Sequence, residues 1–103
     1  MRRSVRIKLS PAAQGDIRGI WKYSQRKWGA ERADEYLNDL RDRMLWLTAH
    51  RNLWKERADL GDCLFCYNQQ NHVTYFRQSG DSDEPTIEII RILHQRMDPE
   101  RRV

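Results

Sequence analysis

The sequence is poor in the residues that staple small folds covalently and in the runs that cross membranes. It holds two cysteines, three prolines and five glycines in 103 residues. Two cysteines, Cys63 and Cys66, are too few for a disulfide framework. Their spacing falls in a strand-like run, where alternation sends them to opposite faces and argues against a metal-holding or redox CxxC pair. No apolar run approaches the roughly 18 residues that a span needs. Residues 1–6 lead into a short alternating segment without the apolar stretch of a signal peptide. The resulting expectation is a cytoplasmic protein with no membrane contact, no metal and no cofactor.

What is present suffices for one core. Hydrophobic residues make up 39% and aromatics 10%, while 33% charged residues leave a very polar surface. The length suits a single domain, expected to span residues 1–103 with a short basic tail from about residue 94. A net charge of +4 favours polyanions or an acidic protein as partner.

Val5, Ile7 and Leu9 alternate with Arg6 and Lys8, the period-2 pattern of a half-buried strand. Ser10 then offers a capping hydroxyl and Pro11 suits the first helical position. From there Ala13, Ile17, Ile20, Trp21, Ser24 and Trp28 trace one helical face, which predicts a helix ended by Gly29. A second helical pattern follows, with Ala33, Tyr36, Leu37, Leu40, Met44 and Leu47 on one face. So short a connection makes an antiparallel helical hairpin.

Residues 50–62 lose periodicity and read as a polar loop. Three strand-like runs come next, at 63–67, 72–77 and 86–93. The first two are joined by Asn68, Gln69, Gln70 and Asn71, the last two by a turn-rich stretch from Gly80 to Pro85. Ile87, Ile89, Ile90, Ile92 and Leu93 make the last run nearly continuously aliphatic, as in a central strand covered on both faces.

This order, with four local motifs, resembles the ParE toxins of the ParE/RelE toxin–antitoxin superfamily. The motifs are Leu9-Ser10-Pro11-Ala12-Ala13 with Asp16-Ile17 and the following Ile20-Trp21-Lys22-Tyr23; Lys27-Trp28-Gly29 between the helices; His72-Val73-Thr74-Tyr75-Phe76-Arg77; and the run from Ile89 to Asp98, the most specific of them. The resemblance implies an α+β fold, β-α-α-β-β-β, in which the hairpin packs on a small, mainly antiparallel sheet. It also implies a bacterial type II toxin that inhibits DNA gyrase, is neutralised by a ParD-type antitoxin in a hetero-oligomer, and is not an enzyme. Two departures from the family pattern stand out. Cys63, Leu64 and Phe65 occupy positions where members commonly carry Gly, Leu and Arg, and Gln70 and Asn71 replace a Gly-bearing turn. A non-toxic remnant that only binds its antitoxin is therefore a further reading.

The rival inside the superfamily is RelE-like cleavage of messenger RNA on the ribosome, which needs a base, an acid and cations around the scissile phosphate. His94 is the candidate acid, with Arg77, Arg91 and Arg96 as cations and His72 as a conceivable base. Without catalysis, His94 is a sheet-edge histidine bonded to backbone or to Asp98, His72 faces solvent, and His50 sits at a helix C-terminus. For a gyrase-facing surface the resemblance implies the tail, with His94, Arg96, Met97, Arg101 and Arg102. Trp21 and Trp28 belong to the core by their spacing. Trp46 lies off the apolar stripe and Trp54 in the polar loop, so exposed rings there would mark the antitoxin contact, unless both fold back onto the hairpin. No recognition-helix pattern or basic stripe is visible, so DNA is expected to be met only through the antitoxin complex.

Overall fold

The computed structural model describes residues 6–79 and 86–103. Val5 and the turn at 80–85 lie outside the described residues.

Strand β1 (Arg6–Leu9) is followed by helix α1 (Pro11–Trp28), and Ser10 fixes the junction. Its hydroxyl accepts from the Ala13 N–H at 3.0 Å and donates to the Ile90 carbonyl at 2.7 Å. One serine therefore caps the helix and pins its start to the sheet. Gly29, at φ 95° and ψ 162°, ends α1 and opens α2 (Ala30–Thr48). Its N–H reaches the Gln25 carbonyl at 2.9 Å, and its own carbonyl receives the Ala33 N–H at 3.1 Å. Trp21 adds a strut across the hairpin by donating to Asp34 at 2.8 Å.

The segment at 50–62 is less irregular than its sequence suggests. A 3-10 turn (Arg51–Leu53) leads into a two-residue strand, β2 (Lys55–Glu56), too short to show any periodicity. Strands β3 (Leu64–Gln69), β4 (His72–Ser79) and β5 (Thr86–His94) follow. Among the described residues the sheet has five strands in the order β1-β5-β4-β3-β2. The β1–β5 pair is parallel and the other three are antiparallel.

Strand β5, second in that order, serves both faces because of a bulge. Phe76 pairs with Ile89 but Tyr75 pairs with Arg91, which leaves Ile90 as the extra residue. Ile87, Ile89 and, beyond the bulge, Ile92 all join the helix-side core with Ala13, Ile20, Met44, Leu47 and Phe76. Leu93 joins Cys66, Val73 and Tyr75 on the opposite face, where Leu60 and Val103 cover them. Fully burying a side chain such as Phe76 contributes about 1.5–3 kcal/mol. The α+β hairpin-on-sheet architecture expected from the sequence is the observed one.

Several local expectations are corrected. Cys63 precedes the strand and takes φ 56°, and Gln70 in the β3–β4 turn takes φ 53°. These are two positions where a glycine would be free of strain. The basic tail has structure of its own, because Asp98 caps a short helix α3 (Pro99–Arg102) and Val103 packs on the sheet. Trp28 is 44% exposed and Trp21 half-buried rather than core. At 100° per residue Trp28 stands about 60° and Trp21 about 80° round α1 from Ala13, outside the buried stripe. Trp54 is no surface ring, since its indole donates to the Leu47 carbonyl at 2.8 Å and lies edge-on to Phe76 at 5.1 Å.

Candidate functional site

An open groove of about 670 Å³ runs between α1 and the end of β5. It exists because β1 stops at Leu9, so β5 from Ile90 onward has no strand neighbour on that side. Residues of α1 meet that bare edge instead. Asp16 accepts the Ile92 N–H at 3.0 Å and both forks of Arg91, Nε at 2.8 Å and Nη2 at 2.7 Å. The third guanidinium nitrogen of Arg91 donates to the Arg102 carbonyl at 3.0 Å, tying α3 to the sheet. Bonding to Asp16 pushes the Arg91 pKa up. Arg91 is thus a paired structural residue, which corrects its expected place among free cations on a scissile phosphate.

The α1 wall of the groove carries Gly15, Gly19, Tyr23 and Lys27 at four-residue intervals, with Trp28 beyond. A Cβ at Gly19 would meet nothing within 4 Å, and one at Gly15 only the tip of Arg18 at 3.8 Å. Neither glycine is demanded by packing in this chain, although each costs an exposed helix about 0.8–1 kcal/mol relative to alanine. Lys27 lies 5.7 Å over the Tyr23 ring and 5.3 Å over Trp28.

The floor is Tyr36, His72 and His94. The Tyr36 hydroxyl and His72 Nδ1 lie 2.6 Å apart, and the two imidazoles meet edge-on at 5.6 Å between centroids. His72 is therefore half-buried under α2 rather than facing solvent. Burial, then the neighbouring His94, pushes its pKa down, while burial raises that of Tyr36. His94 Nδ1 accepts the Arg96 N–H at 3.2 Å, so this histidine is held by backbone. His50 at the end of α2 is held by backbone in the opposite sense, its Nδ1 donating to the Trp46 carbonyl at 2.8 Å.

His94, Arg96, Met97 and Arg102 are brought together at one end of the groove. A second concavity of about 550 Å³ adjoins it, lined by Arg91, Arg96, Met97, Asp98, Arg101 and Arg102. Arg77 is not among them. It pairs with Glu88 while His72 pairs with His94, five residues and roughly 16 Å along the sheet. Trp46 is 38% exposed on the far side of α2, stacked on His50 at 3.9 Å under Arg43. Phe65, where the family pattern has an arginine, packs between Trp54 at 5.3 Å and Phe76 at 6.0 Å. Among the described residues no three His, Cys, Asp or Glu side chains are grouped to hold a metal ion, and no helix is long and apolar enough to cross a membrane.

Sequence reasoning passed over Gly15, Gly19, Tyr23 and Tyr36 as groove residues. The signal available was a pair of glycines inside a strong helical pattern, which weakens a helix unless something uses the bare backbone.

Residues 7–99 match the family model described as the ParE toxin of the type II toxin–antitoxin system parDE. Toxin ParE1 of Mycobacterium tuberculosis strain H37Rv is 32% identical over 98 residues, 95% of this chain and 97% of its own. Toxin ParE1 of Caulobacter vibrioides is 30% identical over 90 residues, 87% of this chain and 88% of its own. Among solved structures, a chain of a chromosomal ParDE TA system from P. aeruginosa superposes with a TM-score of 0.69 at 19% identity, covering 90% of this chain and 98% of that one.

Proposed function

The chain belongs to the ParE toxins of type II toxin–antitoxin systems, and from that premise we propose that it inhibits DNA gyrase by binding, without catalysis, and is silenced by a ParD-type antitoxin. The observation that carries this reading is the match to the toxin family along residues 7–99, nearly the whole fold. The antitoxin seats in the α1 groove. Two unforced glycines strip that wall of side chains, and exposed Tyr23 and Trp28 offer apolar surface to a segment that folds on contact. Trp46 gives a further exposed ring for the wrapping segment. Gyrase faces the other end, through His94, Arg96, Met97, Arg101 and Arg102.

Non-catalytic action is supported by how the nuclease candidates are dispersed. Arg91 is paired with Asp16, and Arg77 stands roughly 16 Å along the sheet from His94. The approach of His72 and His94 favours ribosome-dependent cleavage as the second reading, which predicts cut message on translating ribosomes that His94→Ala abolishes.

The deciding experiment is supercoiling of relaxed plasmid by purified gyrase with ATP, titrated with this protein and then with its antitoxin. Loss of supercoiling with accumulated cleaved DNA, reversed by antitoxin, is the expected result. No effect at micromolar excess, alongside tight antitoxin binding, would instead identify a toxin fold that no longer poisons gyrase.

A further inference from the structure

The four arginines at 91, 96, 101 and 102 look like scattered surface charge in the sequence, yet the fold gathers them round one concavity of about 550 Å³. Two elements do this. The turn after β5 is held by the Gln95 N–H to the Asn71 carbonyl and the Met97 N–H to the His94 carbonyl, both 2.9 Å, and it presents Arg96. Helix α3, capped by Asp98 and held by Arg91 through the Arg102 carbonyl, presents Arg101 and Arg102.

The local acids offset these charges only in part. Asp16 is committed to Arg91 and to the Ile92 N–H. Asp98 spends one oxygen on the Glu100 N–H at 3.0 Å and stands 3.8 Å from Arg101, whose side chain is 87% exposed. Glu100 is exposed on α3 itself. Among the described residues Arg96, Arg101 and Arg102 therefore line the concavity with two carboxylates beside them, Asp98 and Glu100, which leaves an excess of positive charge.

The concavity opens into the groove whose α1 wall carries Tyr23 and Trp28, 60% and 44% exposed, with Lys27 over both rings. Guanidinium forks match phosphate oxygens. Cations beside exposed aromatic rings are how proteins hold single strands, with phosphates on the cations and bases stacked on the rings. An acidic peptide would satisfy the arginines and leave the rings without a flat partner.

We propose that this arginine concavity and the adjoining Tyr23–Trp28 wall bind the phosphodiester backbone and bases of a single-stranded nucleic acid segment. The inference takes its setting from the gyrase reading, where DNA lies at the target, and an antitoxin seated in the groove would displace the strand. The expectation of DNA contact only through the antitoxin complex rests on the lack of a recognition helix, which single-strand binding does not need, and on the lack of a basic stripe, whereas the fold gathers Arg91, Arg96, Arg101 and Arg102 round one concavity.

The test is fluorescence anisotropy of a labelled 20-residue oligothymidylate with the full chain, across a salt series and with no gyrase present, so this inference and the gyrase reading fail separately. The triple variant R96Q/R101Q/R102Q changes exposed side chains and leaves the Arg102 carbonyl for Arg91, so the fold is retained. With about 0.7 counterion released per strand phosphate contact, it should bind about a hundredfold more weakly at 0.1 M salt and lower the salt slope by about 2. Y23A/W28A should weaken binding at least about fivefold. An equal charge loss elsewhere, R32Q/R41Q/K55Q, should change it less than about threefold, since scattered exposed charges are screened. Equal losses in the two triple variants would reduce the effect to general charge attraction and overturn the proposal. Displacement by polyglutamate as effective as by unlabelled oligothymidylate would overturn it too, assigning the concavity to an acidic protein surface.

Discussion

Asp16 accepts three hydrogen bonds from β5 and shows how a residue's role can depend on partners 75 positions away. Nothing in its local pattern marks it as the group that completes the open edge of the sheet, and reading Arg91 as a free cation followed from not knowing its partner. His72 carries a similar lesson. Strand alternation leaves open which face is covered, and α2 covers this one with Tyr36. The ring faces Tyr36 from α2 and His94 from β5, and burial followed by His94 lowers its pKa below the ordinary 6.5. The unfolded chain then binds the proton at higher pH than the native state does. The stabilisation of neutral His72 is complete above about pH 6.5 and is lost as pH falls through the lowered value. We expect the thermal midpoint to fall between about pH 7 and pH 5 more steeply in the wild type than in His72→Gln. Parallel pH profiles for the two proteins would remove His72 from the account.

At the scale of elements, single residues decide the boundaries, and most were readable. Ser10 with Pro11 and Gly29 mark three helix ends, because caps and positive φ are properties of residue type. The strand β2 was not readable, since two exposed residues show no period and pairing with Phe65 and Cys66 creates it. Two glycines, one at the hairpin corner and one inside α1, make a direct comparison. Gly29 sits at φ 95°, ψ 162°, a region closed to side chains, whereas Gly19 is helical with open space around it. Gly29→Ala should cost about 1–3 kcal/mol in urea unfolding, and Gly19→Ala should gain about 0.5–1 kcal/mol. Equal effects of one sign would mean that the hairpin corner is not where the strain lies.

For the whole molecule the groove is what matters, because the antitoxin assignment depends on its being empty of side chains along Gly15 and Gly19. Gly19→Trp puts an indole into that space without touching the core on the other side of α1. Circular dichroism and the unfolding midpoint should stay close to wild type. Affinity for the antitoxin by titration calorimetry should fall at least about tenfold, roughly 1.4 kcal/mol. Unchanged affinity would move the antitoxin seat elsewhere, with exposed Trp46 on the outer side of α2 as the next surface to probe.

The sequence by itself determined the order of the main elements, the helix caps, the apolar stripes and the family, because periodicity and residue-specific backbone preferences act over a few neighbours. Tertiary structure alone decided that Arg91 pairs with Asp16, that Trp54 turns inward while Trp28 stays out, that the tail folds over the sheet, and that Tyr36, His72 and His94 share a floor. Each of those depends on which distant surface arrives to exclude water from a given side chain, and that is fixed only when the hairpin closes on the sheet.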